Sequence, residues 1–169
     1  TASLHLTREM IQSLKEKGVQ VHTLTLHVGA GTFRNVRPHE LDAGVLHTEQ
    51  YAIPKATAEA INRAKASGRR VTAVGTTVTR ALEAACIRSA VIPAGPAQTD
   101  LFIQPGHTFR VVDRLMTNFH LPRSSLLMLV CAFGGREHVL DGYKAAIQNG
   151  FRFYSYGDAM LLNAAGESA

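Results

Sequence analysis

Apolar and polar positions along the chain follow two periods, and the switches between them mark the elements. Met10, Ile11 and Leu14 share one face at helical spacing, predicting a helix capped by Thr7, running to Lys17 and stopped by Gly18. Val19 to Val28 (VQVHTLTLHV) is rich in β-branched residues and becomes apolar on both faces, as a covered strand does, before a glycine turn, GAGTF. Residues 34–50 show neither period. Pro54 opens a helix reaching Ser67, with Gly68 after it. RRVTAVGTT reads as a short strand ending in a loop, and residues 78–90 as a helix with Leu82, Ala85 and Cys86 inward. DLFIQ and HTFRVVD flank Pro105-Gly106 and predict a β-hairpin. The loop TNFHLP then leads into an apolar helix. A second helix covers residues 136–149, and FRFYSYGDAML closes as a strand.

This alternation of helix and strand predicts an α/β fold: a mixed, largely parallel sheet with flanking helices and one β-hairpin. The 169 residues suit one domain, expected to span 1–162 with a disordered tail at 163–169. Hydrophobic residues make up 46% and charged ones 18%, which argues for a packed core and against intrinsic disorder. The formal charge of +5 permits an anionic partner such as nucleic acid without demanding one. Cys86 and Cys131 lie 45 positions apart in apolar helical patterns, so both read as buried free thiols in a reducing cytoplasm. TASLHLTREM does not read as a signal peptide, and Leu126 to Phe133 is too short to span a bilayer, so no membrane partner is expected.

Three loops that follow strand patterns could carry chemistry, because open α/β sheets bind ligands at the carboxyl ends of their strands. In HVGAGTF (27–33), Gly29 and Gly31 would let a ligand approach the backbone. Arg34 stands where a dinucleotide fingerprint needs its third glycine, and no Gly-Lys-Ser/Thr follows to make a phosphate loop. In VGTTVTR (74–80), the first-turn amides with Thr76 and Thr77 could hold an anion, although on the residues alone a plain threonine cap is the simpler reading. In TNFHLP (117–122), Asn118 and His120 sit just before a helix whose dipole disfavours a protonated histidine. Separately, LHTE places His47 and Glu49 on the same side of an extended segment, able to move a proton near neutral pH. Its His-x-Glu spacing lacks the Pro-Cys-x-x-Cys of zinc deaminases, so no metal is expected.

Taken in order, LHVGAGTF, LHTE, VGTT..RALE, DLFIQPGHTF, VVDRLMTNFHLPRSSLLMLVCAFGG and FRFYSYGDAMLL resemble the S-adenosylmethionine:tRNA ribosyltransferase-isomerase family of queuosine biosynthesis. The resemblance covers nearly the whole chain. It implies an enzyme with S-adenosylmethionine as ribosyl donor. The acceptor is the 7-aminomethyl-7-deazaguanine base at the wobble position of a tRNA with a GUN anticodon. The products are epoxyqueuosine-tRNA, adenine and methionine, and no cofactor beyond the substrate is implied. Proton abstraction next to the sulfonium wants a base, for which His120, His47 and Glu49 are the candidates, unranked. His27, Gly29, Gly31 and Thr32 would lie along the substrate. Thr76 and Thr77 would hold the amino-acid carboxylate, Asn118 would face the ligand, and Arg80 would face a phosphate or pair with Glu83.

The departures from the family pattern are specific. Members are roughly twice this long, and their inserted β-barrel domain is absent here. TASLHL begins in mid-motif, with Ser3 for Gly and Leu6 for Phe, as a fragment, a truncated gene or one chain of a split enzyme would. GTTVTR puts Val78 where the family has Ser, and Ser125 and Gly134 replace Thr and Ala. A truncated, non-catalytic module binding S-adenosylmethionine or tRNA is therefore the alternative expectation, with a missing amino-terminal half or a second copy as possible partner.

Overall fold

A computed structural model of the chain describes residues 1–29, 36–87 and 89–165. Six helices and six strands are present among them, in the order α1 (Arg8–Glu16), β1 (Thr25–His27), α2 (Pro38–Ala43), β2 (Val45–Ile53), α3 (Lys55–Ala66), β3 (Thr72–Val74), α4 (Thr76–Ile87), β4 (Gly95–Leu101), β5 (Arg114–Asn118), α5 (Ser125–Gly134), α6 (Arg136–Gln148) and β6 (Ala159–Asn163). The α/β expectation holds, but the strands form two small sheets. One is β1-β2-β4, antiparallel throughout; the other is β3-β5-β6, in which β3 and β5 run parallel and β6 antiparallel to β5. Among the described residues, parallel pairing is thus confined to β3 and β5.

Helix α4 packs against β3, β4 and β5 and so joins the two sheets. Its inward residues Ala81, Leu82, Ala85 and Cys86 are buried with Ile53, Ala73, Leu115, Val130 and Phe133 in one core. Phe133, Val130 and Leu115 are fully enclosed, so the apolar helix α5 and the central strand β5 form its middle. Both cysteines are buried free thiols, as their apolar neighbours imply. Helix α1 is capped by Thr7, whose side chain accepts from the Met10 amide, but none of its residues is buried. Its apolar stripe is only partly covered among the described residues: Ile11 and Leu14 are half-buried and Met10 is exposed.

The expected hairpin does not form. Pro105-Gly106 does turn, with the His107 amide bonded to the Gln104 carbonyl at 3.0 Å. The two arms then part: β4 pairs with β2, while β5 begins only at Arg114 and joins the other sheet. The amides of Arg110, Val111 and Val112, which a hairpin would have bonded to β4, donate instead to the Glu83 carboxylate at 2.9, 3.0 and 2.9 Å. A buried side chain on α4 has replaced a strand. The predicted strand at 19–28 shrinks to Thr25–His27 and is half open to solvent. The region 34–50, expected to be irregular, carries α2 and most of β2. At the other end, β6 runs through Asn163, and the amides of Ala164 and Ala165 bond to the Asp113 and Phe133 carbonyls, so order extends past residue 162.

Candidate active site

The turn from β3 into α4 builds the first wall. Gly75, at φ +105°, adopts a backbone that a side chain would strain, and its amide extends the β3–β5 pairing by bonding to the Met116 carbonyl at 2.8 Å. Thr76 and Thr77 follow as the first residues of α4, where backbone amides have no intrahelical acceptor and the helix dipole favours negative charge. Thr79 turns inward, and its hydroxyl bonds back to the Gly75 carbonyl. Thr76 and Thr77 face a cavity of about 330 Å³ that Asn118, His120, Ser124 and Tyr154 also line. That volume is on the scale of a small-molecule site.

The carboxyl end of β5 builds the opposite wall. Asn118 is 2% exposed; its amide group donates to the Gly157 carbonyl at 3.3 Å and lies 3.2 Å from His5 Nε2, and its Oδ1 accepts from the Thr1 hydroxyl. It borders the cavity and also clamps three segments together. The loop then passes Phe119, which packs edge-on to Tyr143 and tilted against Phe153. The backbone amide of His120 donates to the Tyr143 hydroxyl at 2.8 Å, and its Nε2 lies 2.9 Å from the Thr117 hydroxyl. Burial holds the His120 imidazole down at about 4, well below its ordinary 6.5, so the ring is neutral at pH 7. Ser124 caps α5, accepting from the Leu127 amide and donating to the Leu121 carbonyl.

The LHTE pair lies on β2, and a register irregularity between Val45 and Glu49 sets its direction. His47 Nε2 is 3.1 Å from Glu49 Oε1. The other Glu49 oxygen accepts from Arg80 Nη2, and both residues are 4% exposed. Arg80 therefore does not pair with Glu83, which is committed to the three loop amides. Burial pulls the Arg80 guanidinium below its usual range, with the Glu49 charge opposing. Arg80 stands one helical turn beyond Thr76 and Thr77, and all three border a void of about 10 Å³ between the ion pair and the cavity. Gly29 completes this side: a Cβ there would sit 3.6 Å from the His47 ring.

The structure thus joins Thr76, Thr77, Asn118 and His120 around one cavity and links the partly exposed His47 to the buried Glu49–Arg80 pair beside it. His27 ends β1, exposed and paired in register with Gln50, and among the described residues it hydrogen-bonds neither group. Gly31 and Thr32 lie outside the described residues. Val78, where a hydroxyl was expected, packs against the core rather than the cavity. Sequence reading missed Thr117, Tyr143 and Tyr154. Tyr143 showed helical core spacing, which concealed that its hydroxyl reaches the His120 loop.

The queuosine biosynthesis protein family matches residues 1–162. The chain belongs to this family. It is 58% identical over 162 residues to the S-adenosylmethionine:tRNA ribosyltransferase-isomerase of Thermus thermophilus, covering 96% of this chain and 47% of that protein. It is 52% identical to the protein of the same name from Moorella thermoacetica, with the same coverage. The crystal structure of S-adenosylmethionine tRNA ribosyltransferase from Thermotoga maritima superposes with a TM-score of 0.76 at 43% identity, over 95% of this chain and 51% of that one. The chain therefore spans about half the length of the relatives it matches. Among the described residues, no helix is long and apolar enough to cross a membrane.

Proposed function

We propose that this chain carries the donor-site half of an S-adenosylmethionine:tRNA ribosyltransferase-isomerase. S-adenosylmethionine gives its ribosyl part to the 7-aminomethyl-7-deazaguanine base at the wobble position of a GUN-anticodon tRNA. The transferred part rearranges to the epoxy-cyclopentane ring of epoxyqueuosine, and adenine and methionine leave. The reaction takes place in the cytoplasm and uses no further cofactor. The names of the relatives and the joint position of the threonine and histidine loops support this reading. The observation that carries it is the neutral His120 facing the first-turn amides of α4 across one cavity.

The roles follow from the chemistry of each group. The α4 amides with Thr76 and Thr77 suit the substrate carboxylate, as helix N-termini suit anions. A histidine held near 4 is a poor proton acceptor at pH 7 but a good neutral hydrogen-bond partner, so His120 binds and orients the ribosyl donor. Proton abstraction beside the sulfonium falls to His47, with Glu49 orienting its ring and Arg80 fixing Glu49. Gly29 keeps the β1 loop close to that imidazole.

The test is adenine release from S-adenosylmethionine in the presence of tRNA bearing the deazaguanine base. It is run with the chain alone and with the amino-terminal half of a relative added. Release in either arm, abolished by His47→Ala, supports the assignment. Binding of S-adenosylmethionine with no release in either arm would favour a non-catalytic binding module.

A further inference from the structure

The turn at Phe151 to Asp158 forms the outer lip of the cavity and is built to present aromatic rings. Tyr154 and Ser155 line the cavity, and Tyr156 follows at the tip, 88% exposed. A solitary exposed tyrosine is ordinary surface. This one sits on a rigid mount. The Gly157 amide closes the turn on the Tyr154 carbonyl at 3.0 Å, and the Tyr154 amide is tied to the Phe119 carbonyl at 2.9 Å. Below the tip, the Arg152 amide donates to the Asp158 carboxylate and the Asp158 amide to the Arg152 carbonyl, both at 2.7 Å. Phe153 anchors the turn against Phe119 and Tyr143.

Backbone strain points to the same place. Arg123 and Tyr154, at φ +59° and +71°, are the non-glycine residues with positive φ among those described; Tyr154 lines the cavity, and Arg123 directly precedes Ser124, which lines it from another loop. Such strain persists where the surroundings over-determine it, commonly at ligand sites. Gly157 is obligatory, because a Cβ there would lie 2.3 Å from the Arg152 carbonyl oxygen. Charge agrees: Arg123 is exposed on one side, and on the other the Arg152 side chain is 77% exposed. Its 3.6 Å contact with Asp158 is solvent-screened and leaves most of the cation available.

We infer that Tyr154 and Tyr156, flanked by Arg123 and Arg152, form a stacking lip for the unpaired bases of a tRNA loop, holding the bases next to the one that enters the cavity. This rests on the reading of the cavity given above. Rigid aromatic faces beside arginines are what unpaired bases bind, since every base offers a π-face and the backbone an anion. Paired RNA hides those faces and would gain nothing from the tyrosines.

The experiment is fluorescence-anisotropy binding of a labelled stem-loop RNA carrying a GUN anticodon, with a fully paired RNA as control, and S-adenosylmethionine binding by calorimetry. Tyr156→Ala is expected to weaken stem-loop binding about ten- to a hundredfold, the loss of one stacked base. Tyr156→Phe should stay within about twofold, because the π-face is kept. Paired-RNA and S-adenosylmethionine affinities should not move. Arg152→Gln should weaken stem-loop binding and flatten its salt dependence. Unchanged stem-loop affinity in Tyr156→Ala overturns the lip. So does an equal loss for paired RNA, or a fall in melting temperature without an RNA effect, which would mean that the ring packs on protein. Wild-type chain that binds S-adenosylmethionine but no stem-loop RNA overturns the lip alone, whereas binding of neither overturns the reading of the cavity itself.

Discussion

The Thr117 hydroxyl lies 2.9 Å from His120 Nε2, three residues further along the chain. Thr117 is the penultimate residue of β5 and is 1% exposed, so this contact is fixed by the sheet rather than by the loop. No group among the described residues hydrogen-bonds the other ring nitrogen, Nδ1, which is the one left for a ligand in the cavity. Thr117→Val keeps the volume and removes the partner. Loss of a buried neutral hydrogen bond is worth about 1 kcal/mol, or roughly fivefold in turnover if it acts through ring orientation. Thr117→Ser should restore both the rate and the tautomer. Imidazole nitrogen chemical shifts read the tautomer directly; a wild-type tautomer and rate in the valine variant would remove Thr117 from the site.

Low pH should destabilise the fold through His120. In the unfolded chain this imidazole binds its proton near the ordinary 6.5, but the folded chain accepts it only at about 4. The unfolded state is therefore the better proton binder between those values. Stability from this group is complete above pH 6.5 and falls as pH drops toward 4, by about 3 kcal/mol at the bottom of the window. Urea titrations at several pH values measure it. His120→Gln keeps a polar group at that position and should flatten the slope over this range; an equal slope in both proteins would refute the depressed pKa.

The Glu49–Arg80 pair is buried on both sides, so its removal by halves is costly. Arg80→Met takes the guanidinium from an enclosed carboxylate and should cost about 3–5 kcal/mol. Glu49→Gln combined with Arg80→Met should recover part of that loss, since the carboxylate no longer needs its cation. Denaturant melts of the single and double variants give the coupling energy. Additive losses would mean that the two residues do not act as a unit. The His47 ring, oriented through Glu49 Oε1, should lose its fixed tautomer in both single variants.

The elements legible in the sequence were those set by local spacing. Pro54 before α3, Gly68 after it, Ser124 at the head of α5 and the stripe of α6 all lie within a few residues of the groups they bond. The elements misread were set by partners far along the chain. Residues 107–113 have strand-like composition, but the amides of Arg110, Val111 and Val112 meet a carboxylate 27 to 29 positions away. The same division runs through the site. LHTE put His47 beside Glu49, as alternation on a strand requires, but the expectation for Arg80, a phosphate or its helical neighbour Glu83, did not include Glu49. Three backbone amides hold the Glu83 carboxylate more firmly than a side chain on its own helix would, which leaves Arg80 to Glu49. Asn118 and His120 were legible as polar groups before a helix, but the burial that keeps the imidazole neutral comes from tertiary packing.

Glu83 gives the sharpest test of how the site is supported. Its carboxylate is 1% exposed, accepts three amides, and lies 3.8 Å from His107 Nε2. Glu83→Gln keeps the shape but leaves one carbonyl oxygen where two carboxylate oxygens served three donors. Its NH₂ group would then face an amide hydrogen. Bonds to a charged acceptor are worth about 1.5–3 kcal/mol each, so a net loss of about 3 kcal/mol is expected. Because Glu83 lies on α4 and the amides lie just before β5, the loss falls between the two elements that carry Thr76 and Asn118. Hydrogen exchange should therefore accelerate first at Arg110, Val111 and Val112, and S-adenosylmethionine affinity should fall while the circular-dichroism spectrum stays unchanged. Exchange that accelerates evenly over the whole chain would mean that Glu83 supports the fold as a whole and has no particular part in aligning the two walls of the cavity.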